Sequence, residues 1–288
     1  MDTRLLRTFC AVTRLGSFSA AARELGYTQS AVSQHIVALE SDLGVPLLTR
    51  RPVGPTDAGA RLLDHAVPLL LRLDAARADV ARAAAEPAAR LAVGVAPLAA
   101  AHLPAIARHA RAAGVRELSV RVAAPGALPG ALASGELDLA VVVSPAVRGD
   151  PPPLPALASL RSVPLAEAPA LVAVPQGHPL TGEAALADLT EARWLAAPDA
   201  VGSLDDLCAG LGLPPLRTAV RCAGTDLDAP RLLAAAGEGL VLLPASALTP
   251  DLRGVPVRTP ELVYRTDLLH PRSADRAVVA VVAALGAG

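Results

Sequence analysis

The chain has no lysine, and all 26 of its basic residues are arginine. This absence excludes the phosphate-binding lysine of a P-loop, a Schiff-base lysine and the Ser-x-x-Lys nucleophile pair. The sequence also has no Gly-x-Ser-x-Gly elbow and no His-Glu-x-x-His pair, and its six histidines show no metal-ligand spacing. We therefore expect a protein that is not an enzyme and that uses no cofactor and no metal.

Cysteines and long apolar runs are scarce as well. The three cysteines, Cys10, Cys208 and Cys222, are widely spaced, which fits a reducing compartment and excludes a disulfide framework. No run approaches the roughly 18 uncharged apolar residues of a membrane span, and the N-terminus shows no signal-peptide pattern. Because 52% of the residues are hydrophobic, most of the chain should bury a core. These features predict a cytoplasmic globular protein without membrane contact.

The clearest structural signal is a pair of helical patterns, 19–25 and 29–43, joined by a three-residue turn. Hydroxyl N-caps and C-terminal glycines delimit both patterns: Ser19, Gly26, Thr28 and Gly44. On the second helix one apolar face recurs at spacings of 4, 3 and 4: Val32, Ile36, Leu39 and Leu43. The opposite face is uncharged and rich in amides and hydroxyls, as a helix that reads the DNA major groove should be. The pattern predicts a helix-turn-helix.

Overall charge does not by itself indicate DNA binding. Residues 1–59 hold six arginines and five carboxylates, so this part of the chain is nearly neutral. Arg50 and Arg51, however, stand together just after residues 45–48, where a β-hairpin wing would begin. An arginine pair in a loop is usually solvated, but beside a helix-turn-helix we expect such a pair to contact phosphates.

Residues 5–59 resemble the N-terminal module of the LysR-type transcriptional regulators. The matching positions are Phe9, Gly16, Ser17, Phe18, Ala21, Ala22, Leu25, Gln29, Ala31, Val32, Ser33, Ile36, Leu39, Glu40, Leu43, Gly44, Leu47, Arg50, Thr56 and Gly59. The resemblance implies a winged helix-turn-helix, a linker helix that dimerises and a two-lobed effector domain. It also implies that the protein binds promoter DNA as a dimer or a pair of dimers and responds to a small molecule.

The resemblance also suggests roles for individual side chains. The groove readers would be Gln29, Ser30, Ser33 and Gln34, and the candidates for contact with the DNA backbone are Thr28, His35, Arg50 and Arg51. Two features depart from the family: Val37 replaces a residue that is commonly basic, and only five residues separate Arg50 from Thr56, which shortens the wing. We expect three aromatics to form the core of this small unit: Phe9, Phe18 and Tyr27.

Residues 57–86 form one continuous helical pattern that ends at Pro87, with Pro68 expected to kink it. A narrow apolar seam with 4-3 spacing runs along it: Leu62, Ala66, Leu69, Leu73, Ala76, Val80 and Ala83. A seam this narrow covers another helix better than a broad core, and paired half-sites on DNA require paired reading helices. The seam predicts a dimer; the alternative is a helix that folds onto its own domain.

From residue 90 the pattern changes to apolar runs that alternate with helices. Runs at 91–96, 117–123 and 137–143 predict buried strands, with helices around 99–113 and 126–134 between them. A second set of strands is predicted at 170–175, 193–198, 217–223 and 239–244, and residues 262–270 lead to a last helix at 273–286. Continuous apolar strands need cover on both faces, which indicates a parallel α/β sheet. The proline-rich segments 150–155 and 249–260 are expected to be irregular.

Two such lobes resemble a type 2 periplasmic-binding fold, as the effector domains of the family do. The segments that carry the likeness are 93–106, 132–143 and 174–180. The likeness implies that the chain crosses between lobes near 161–165 and 265–269. The predicted fold is therefore α/β with an all-α winged helix-turn-helix at 1–59, a linker helix at 60–89 and an effector domain at 90–288. Lobe I would comprise 90–162 and 268–288, and lobe II would comprise 163–267.

In open α/β sheets ligands bind beyond the carboxyl ends of the strands, here in the crevice between the lobes. The residues expected to line it include Pro97, Leu98, Ser144, Gln176, His178, Ser203 and Thr225. This lining contains no arginine and one certain charge, Asp226, and Pro97 lacks the backbone donor that an anion site would use. We therefore expect a neutral or weakly polar small-molecule effector.

Two other functions compete with this interpretation. A redox-sensing regulator would use Cys208 and Cys222, but neither cysteine has a nearby run of cations to stabilise a thiolate. A solute-binding transport protein would need an export signal and would lack the helix-turn-helix. The sequence thus predicts a sequence-specific DNA-binding transcriptional regulator that is modulated by a small molecule and acts as a homodimer or homotetramer on double-stranded promoter DNA.

Overall fold

A computed structural model describes residues 2–84, 90–150 and 160–286, without the side chains of residues 75, 78, 79 and 81–84. The helix end expected at Pro87 and most of the proline-rich segment 150–155 lie outside these residues. The chain divides into two compact units, Met1–Arg77 and Ala78–Gly288. Across the described ranges, no helix has the length and apolar character needed to cross a bilayer.

The N-terminal unit combines three short helices, the start of a long fourth helix and a small hairpin. Its helices are α1 (Thr3–Leu15), α2 (Phe18–Leu25), α3 (Gln29–Leu43) and the start of α4 (Asp57–Ala84). The hairpin pairs β1 (Leu48–Arg50) with β2 (Val53–Pro55) in antiparallel register. The predicted helix-turn-helix is thereby confirmed as α2 and α3, and the shortened wing still forms three residue pairs.

Capping residues set the ends of these helices. Thr28 caps α3 through its hydroxyl, while Gly26 and Gly44 end α2 and α3 in the left-handed region, at φ 69° and 71°. The predicted cap of α2 was wrong: the cap is Ser17 rather than Ser19. Ser17 has the extended backbone that an N-cap requires, so α2 begins one residue earlier than the pattern indicated.

The core of the N-terminal unit follows the predicted apolar face of α3 in most positions. Phe9, Val32, Ile36 and Leu39 are fully buried. Leu43, in the last turn, is 39% exposed and does not share in this core as expected. Two of the three aromatics expected in the core also differ: Phe18 is only partly buried, and Tyr27 is 42% exposed. Tyr27 lies in the turn before α3, where its ring meets the edge of an imidazole instead of the core.

The second unit is a two-lobed α/β structure. Its strands are β3 (Arg90–Val95), β4 (Glu117–Val122), β5 (Leu139–Val147), β6 (Leu160–Pro175), β7 (Ala184–Ala185), β8 (Trp194–Ala196), β9 (Thr218–Arg221), β10 (Val241–Pro244), β11 (Leu252–Thr259) and β12 (Leu262–Pro271). Its helices are α5 (Leu103–Ala112), α6 (Leu128–Ala133), α7 (Pro198–Val201), α8 (Leu204–Gly210), α9 (Asp228–Ala235) and α10 (Arg276–Gly286).

Two long strands, β6 and β12, join the lobes. They pair with each other in antiparallel register, with Leu269 opposite Ser162 and Thr266 opposite Ala166. Lobe I adds β5, β3 and β4 beside β12, whereas in lobe II the second half of β6 pairs with β10 and β11. The helix α10 packs against α5 of lobe I. The predicted two-lobed architecture is confirmed. The segments expected to cross between the lobes, 161–165 and 265–269, lie in the paired strands β6 and β12.

Three details of the sheet differ from expectation. The sheet is mixed rather than parallel, because β6 and β12 run antiparallel to their neighbours. The segment 249–260 is not irregular, since it holds β11; Pro256 is tolerated there because only the two-residue β7 lies beyond this strand. The strand β4 is not buried: it is an edge strand, and Val120 and Val122 are 46% and 48% exposed.

Candidate DNA-reading surface and ligand cleft

The first half of α3 presents the predicted groove readers on an accessible face. Gln29, Ser30 and Gln34 are exposed and Ser33 is half-buried, while Val37 extends the same surface at 53% exposure. None of these side chains is charged. The structure therefore brings together amides and hydroxyls at a helix N-terminus, which is the part of a recognition helix that meets base edges.

Thr28 and His35, two candidates for contact with the DNA backbone, are both engaged within the protein. The Thr28 hydroxyl accepts a hydrogen bond from the Ala31 amide at 3.2 Å. The Nδ1 atom of His35 lies 3.0 Å from the hydroxyl of the fully buried Thr8, and its ring meets Tyr27 edge-on with centroids 5.2 Å apart. His35 thus fixes α3 against α1 and sets the angle of the reading helix.

A carboxylate joins the reading helix to the wing. An oxygen of Glu40, near the end of α3, accepts hydrogen bonds from the backbone amides of Leu47 and Leu48, at 2.8 and 3.2 Å. These residues lead directly into β1. Because Glu40 belongs to the helix and the two amides to the hairpin, the position of the wing is fixed relative to the reading face.

Thr56 and Gly59 fix the other side of the wing. The Thr56 hydroxyl donates to the carbonyl of Pro46 and accepts from the amide of Gly59, at 2.9 and 3.0 Å, so it ties the start of α4 to the segment before the hairpin. A Cβ atom at Gly59 would collide with the carbonyl of Leu47. Only glycine permits this close approach of α4 to the base of the wing.

Ion pairing distinguishes the two arginines of the wing from several others in the N-terminal unit. Arg4, Arg7 and Arg14 pair with carboxylates of their own unit. Arg50 and Arg51 are exposed and form no ion pair within the described residues; the Arg50 guanidinium lies 5.8 Å from the centre of the Phe18 ring. Within the described residues, the wing therefore carries two cations that no carboxylate neutralises.

The predicted seam on α4 is divided between two environments. Leu62 and Ala66 pack into the core of the N-terminal unit together with Leu70, so these two members are not free to contact a second helix, which corrects the prediction. From there on the seam is more accessible: Leu69 is 48% exposed and Val80 71%. The two other members between them are a half-buried Leu73 and an exposed Ala76. The side chain of Ala83 lies outside the described residues.

A cleft of about 530 Å³ separates the two lobes. Lobe I contributes residues 124–127, in the turn after β4, and Ser144 on β5; lobe II contributes Asp199, Ser203 and Asp206 around α7 and α8. Two of the predicted ligand residues, Ser144 and Ser203, therefore face the same space. The Ser203 hydroxyl accepts from the Asp206 amide at 3.1 Å as the cap of α8, which leaves its proton free to donate.

Gln176 and His178 do not line this cleft, contrary to the prediction. The strand that precedes them, β6, runs antiparallel to β10, so its carboxyl end lies beside the amino end of β10, at the far edge of lobe II. There the Gln176 amide donates to the carbonyl of Pro250 at 2.8 Å, and the Nδ1 atom of His178 accepts from the Leu180 amide. The prediction failed because it assumed that all strands of the lobe were parallel.

The remaining predicted ligand residues have other surroundings. Pro97 is buried in lobe I, and Leu98 packs against the hydrophobic clusters of both lobes. Thr225 is half-buried and borders neither the cleft nor the neighbouring cavity of lobe II. Asp226 accepts hydrogen bonds from the amides of Asp228 and Ala229 at the start of α9. Its carboxylate therefore stabilises the N-terminus of this helix and is not directed at a ligand.

Carboxylates dominate the charge around the cleft. Asp199 and Asp206 line it, and no cationic side chain does so among the described residues. Asp199 accepts from the Gly224 amide at 3.2 Å, whereas the Asp206 side chain has no partner in the described part of the chain. Arg221 lines the adjoining cavity of lobe II, with its guanidinium 3.8 Å from Asp205.

Sequence reasoning missed two groups of residues at this site. Residues 124–127 follow the carboxyl end of β4, so the rule applied to the other strands would have found them. Trp194 and Tyr264, which border the lobe II cavity, lie 70 residues apart in the chain and carry no shared local signal. Only the pairing of β12 with the lobes brings them together.

The two cysteines of the effector unit, Cys208 and Cys222, are shielded from reaction. Cys208 is fully buried and Cys222 is half-buried. Burial raises the pKa of both thiols, and the nearby Asp205 and Asp226 raise these pKa values further. Both thiols are therefore less ionised at neutral pH than free cysteine. In the described ranges no three His, Cys, Asp or Glu side chains are grouped so that they could hold a metal.

A winged helix-turn-helix followed by a two-lobed ligand-binding domain defines a class of DNA-binding regulators. The family models agree: "Bacterial regulatory helix-turn-helix protein, lysR family" matches residues 3–60, and "LysR substrate binding domain" matches residues 84–287. The chain belongs to the LysR family of transcriptional regulators, whose members bind DNA and carry an effector-binding domain.

Relatives similar in sequence are named as a regulatory protein and as a genes activator. The chain is 32% identical over 259 residues to the small neutral protease regulatory protein of Streptomyces coelicolor, covering 87% of this chain and 76% of that one. It is 35% identical over 182 residues to the probable hydrogen peroxide-inducible genes activator of Mycobacterium xenopi, covering 62% and 92%. The crystal structure of full-length BenM, at 24% identity, shares the fold with a TM-score of 0.54 over 99% of this chain and 95% of that one.

Proposed function

We propose that this regulator reads its operator with the first half of α3 and holds the DNA backbone with the wing. Gln29, Ser30, Ser33 and Gln34 would contact base edges, and Arg50 and Arg51 would contact phosphates. The observation that carries this proposal is the accessible, uncharged face of α3 together with two wing arginines that no carboxylate of the described ranges neutralises. Phosphate contacts fix the register of the helix, and the amides and hydroxyls then discriminate among bases.

For the effector we propose the cleft between the lobes as the binding site. Ser144 and Ser203 supply hydroxyls from opposite lobes, and Asp199 and Asp206 supply negative charge. A neutral or weakly polar molecule, or one that carries a cation, suits this lining, whereas an anion would meet two carboxylates without a compensating cation. Binding that bridges the lobes would favour one angle between them over another.

For assembly we propose a homodimer, alone or as a pair of dimers, formed through α4 from Leu69 onward. Residues 1–59 would then bind DNA, residues 60–89 would connect and dimerise, and residues 90–288 would bind the effector. The first turns of the connecting helix also complete the DNA-binding core through Leu62 and Ala66. We place the protein in the cytoplasm, where promoter DNA is found in bacteria.

Operator binding by point variants tests the reading surface. Gln29→Ala should flatten the preference among operator variants by about 1–3 kcal/mol, because it removes a side chain that reaches base edges. Arg51→Ala should weaken binding to all sequences alike and reduce the salt dependence of log K by about one. Arg72→Ala, which removes an exposed arginine of α4, is the matched control and should do neither. An unchanged operator ranking in Gln29→Ala would contradict the assignment of α3.

A further inference from the structure

A second cavity lies within lobe II and adjoins the cleft. This lobe II chamber has a volume of about 200 Å³ and is bounded by Trp194 and Ala196 on one face of β8, by Tyr264 of β12 and by α8. Trp194 and Ala196 share a face because side chains alternate along a strand. Leu195 between them also borders the cavity and packs into a separate hydrophobic cluster of the lobe. Ser203 and Asp206 border both the chamber and the cleft.

The polar atoms of both aromatic residues are satisfied away from the chamber. The indole Nε1 of Trp194 donates to the carbonyl of Leu189 at 2.7 Å, and the hydroxyl of Tyr264 donates to the carbonyl of Leu242 at 2.8 Å. These two side chains therefore offer the chamber only the apolar surface of their rings. A group without hydrogen-bonding atoms loses no hydrogen bonds when it enters such a space, whereas a polar group would lose its hydrogen bonds to water.

Close packing separates the chamber from the centre of the cleft. Gly202 has a φ of 91°, and a Cβ atom at this position would approach the Cδ atom of Pro145 to 2.5 Å. The loop between α7 and α8 therefore rests directly on β5. The edge of the chamber at Ser203 and Asp206 remains shared by the two cavities, so a ligand with a polar group at this edge has an apolar space on one side and the cleft on the other.

The edge of the chamber also selects by charge. Asp205 and Asp206 outnumber the guanidinium of Arg221, which is already close to Asp205. Carboxylates close to a bound anion raise its energy, while they attract a cation and have little effect on an uncharged ligand. The edge therefore admits a hydroxyl or an ammonium group and disfavours a carboxylate.

We propose that the effector carries an apolar ring or branched alkyl group of about benzene size, and that this group occupies the lobe II chamber. Its neutral or cationic polar group then lies at the shared edge beside Ser203 and Asp206. The volume is sufficient, because a dry apolar cavity of about 150 Å³ accommodates benzene. This inference rests on the proposed effector site in the cleft, since it assigns one part of the ligand to a space beside it.

The single tryptophan of the chain allows a direct test on the full-length protein. Titration with benzyl alcohol, benzylamine and benzoate presents one ring with a neutral, a cationic and an anionic head. The emission of Trp194 should change saturably with the alcohol and the amine, and at least about tenfold more weakly with benzoate. This series needs no variant. Equal responses to all three compounds, or no response to any, would overturn the proposal.

Three variants then locate the bound ring. Ala196→Leu fills the chamber and should weaken both responses by about tenfold or more, as expected for loss of an apolar contact of this size. Ala209→Leu makes the same change on the exposed face of α8 and should leave them intact. Gly126→Phe places a large side chain in the cleft and leaves the chamber unchanged, since Gly126 lines only the cleft and has no atom near its Cβ position.

Calorimetry on the same variants separates this inference from the effector site itself. If Gly126→Phe abolishes binding of benzyl alcohol while Ala196→Leu leaves it unchanged, the cleft binds the probe and the chamber proposal is wrong. If neither variant changes the heat of binding, the probe lies elsewhere, and the proposed effector site fails together with the chamber.

Discussion

The two surfaces proposed for recognition differ in charge and in shape. The face of α3 proposed to read DNA is open and uncharged, and no carboxylate in the described part of the chain pairs with Arg50 or Arg51 of the wing. The cleft proposed for the effector is recessed and carries the carboxylates of Asp199 and Asp206. The net charge of −1 for the whole chain conceals this division. Overall charge is therefore a poor guide to the partners of a two-domain regulator, because each domain sets the local field at its own site.

The two surfaces also differ in how they are built. The proposed reading surface lies within one short stretch, residues 28–51, and the cap at Thr28 and the carboxylate of Glu40 both act on neighbours fewer than ten residues away. The cleft and chamber instead combine segments from residue 124 to Tyr264. A local surface can be recognised from a motif, whereas a distributed one depends on the topology of the sheet.

Matched core substitutions should show whether the two units are independent. The chain has two isoleucines, Ile36 in the N-terminal unit and Ile106 in the effector unit, and both are fully buried. Replacement by alanine should cost about 2–5 kcal/mol in each case through lost burial and the cavity that remains. Calorimetry should show two transitions, with Ile36→Ala lowering only the one that controls DNA binding and Ile106→Ala only the other. A shift of both transitions in either variant would show that the units unfold together.

The contrast between a surface built from local segments and one built from distant segments explains which parts of the structure the sequence could predict. Periodicity and capping rules identified α2 and α3 and placed the reading face, because helix formation depends on residues three and four apart. The error at Ser17 arose because Ser17 and Ser19 both offer a hydroxyl near the helix start, and only the backbone conformation selects between them. The exposure of Tyr27 depends on the turn in which it lies, which periodicity does not describe.

In the effector unit the strands were largely predictable but their directions were not. A parallel sheet would have brought Gln176 and His178 to the cleft, and the antiparallel pairing of β6 with β10 moved them to the far edge. The resemblance to periplasmic-binding folds gave the crossovers at β6 and β12, yet the direction of each neighbour follows from pairing across long sequence separations. The chamber beside Trp194 depends on the same strand pairing, and no local sequence pattern indicated it.

A charge placed on α4 should separate assembly from folding. Leu73→Asp puts a carboxylate at the centre of the accessible part of the seam, where an unpaired buried charge costs several kcal/mol in a dimer. Dimerisation and operator binding should be lost, while the two thermal transitions remain. Val67→Asp introduces the same group on another face of α4, at a position that is 45% exposed, and should leave the dimer intact. Sedimentation that shows an unchanged dimer for Leu73→Asp would contradict the seam.

The smallest expected effect concerns pH and distinguishes the carboxylates of the two units. In the effector unit Asp267 is only 2% exposed; it accepts from the hydroxyl of Ser162 at 3.1 Å and lies 3.3 Å from the Nε atom of Arg265. Burial raises the pKa of Asp267, and Arg265 offsets this effect only in part. In the N-terminal unit a hydrogen bond from Arg4 lowers the pKa of the exposed Asp2. The two groups should therefore respond to acid in opposite directions.

The sign follows from linkage between proton binding and folding. Because the folded pKa of Asp267 is raised, the folded effector unit binds this proton more readily than the unfolded chain. The resulting stability is present at low pH and is lost as the pH rises through the folded pKa. Asp267→Asn keeps an acceptor for Ser162 and removes the buried charge, so the melting temperature of the effector transition should exceed that of the parent protein most at neutral pH. The difference should shrink as the pH falls towards the ordinary Asp value of about 4. Asp188→Asn removes an exposed carboxylate of the same unit and should show no such trend; a difference that grew with acid would mean that the charge of Asp267 stabilises the folded state.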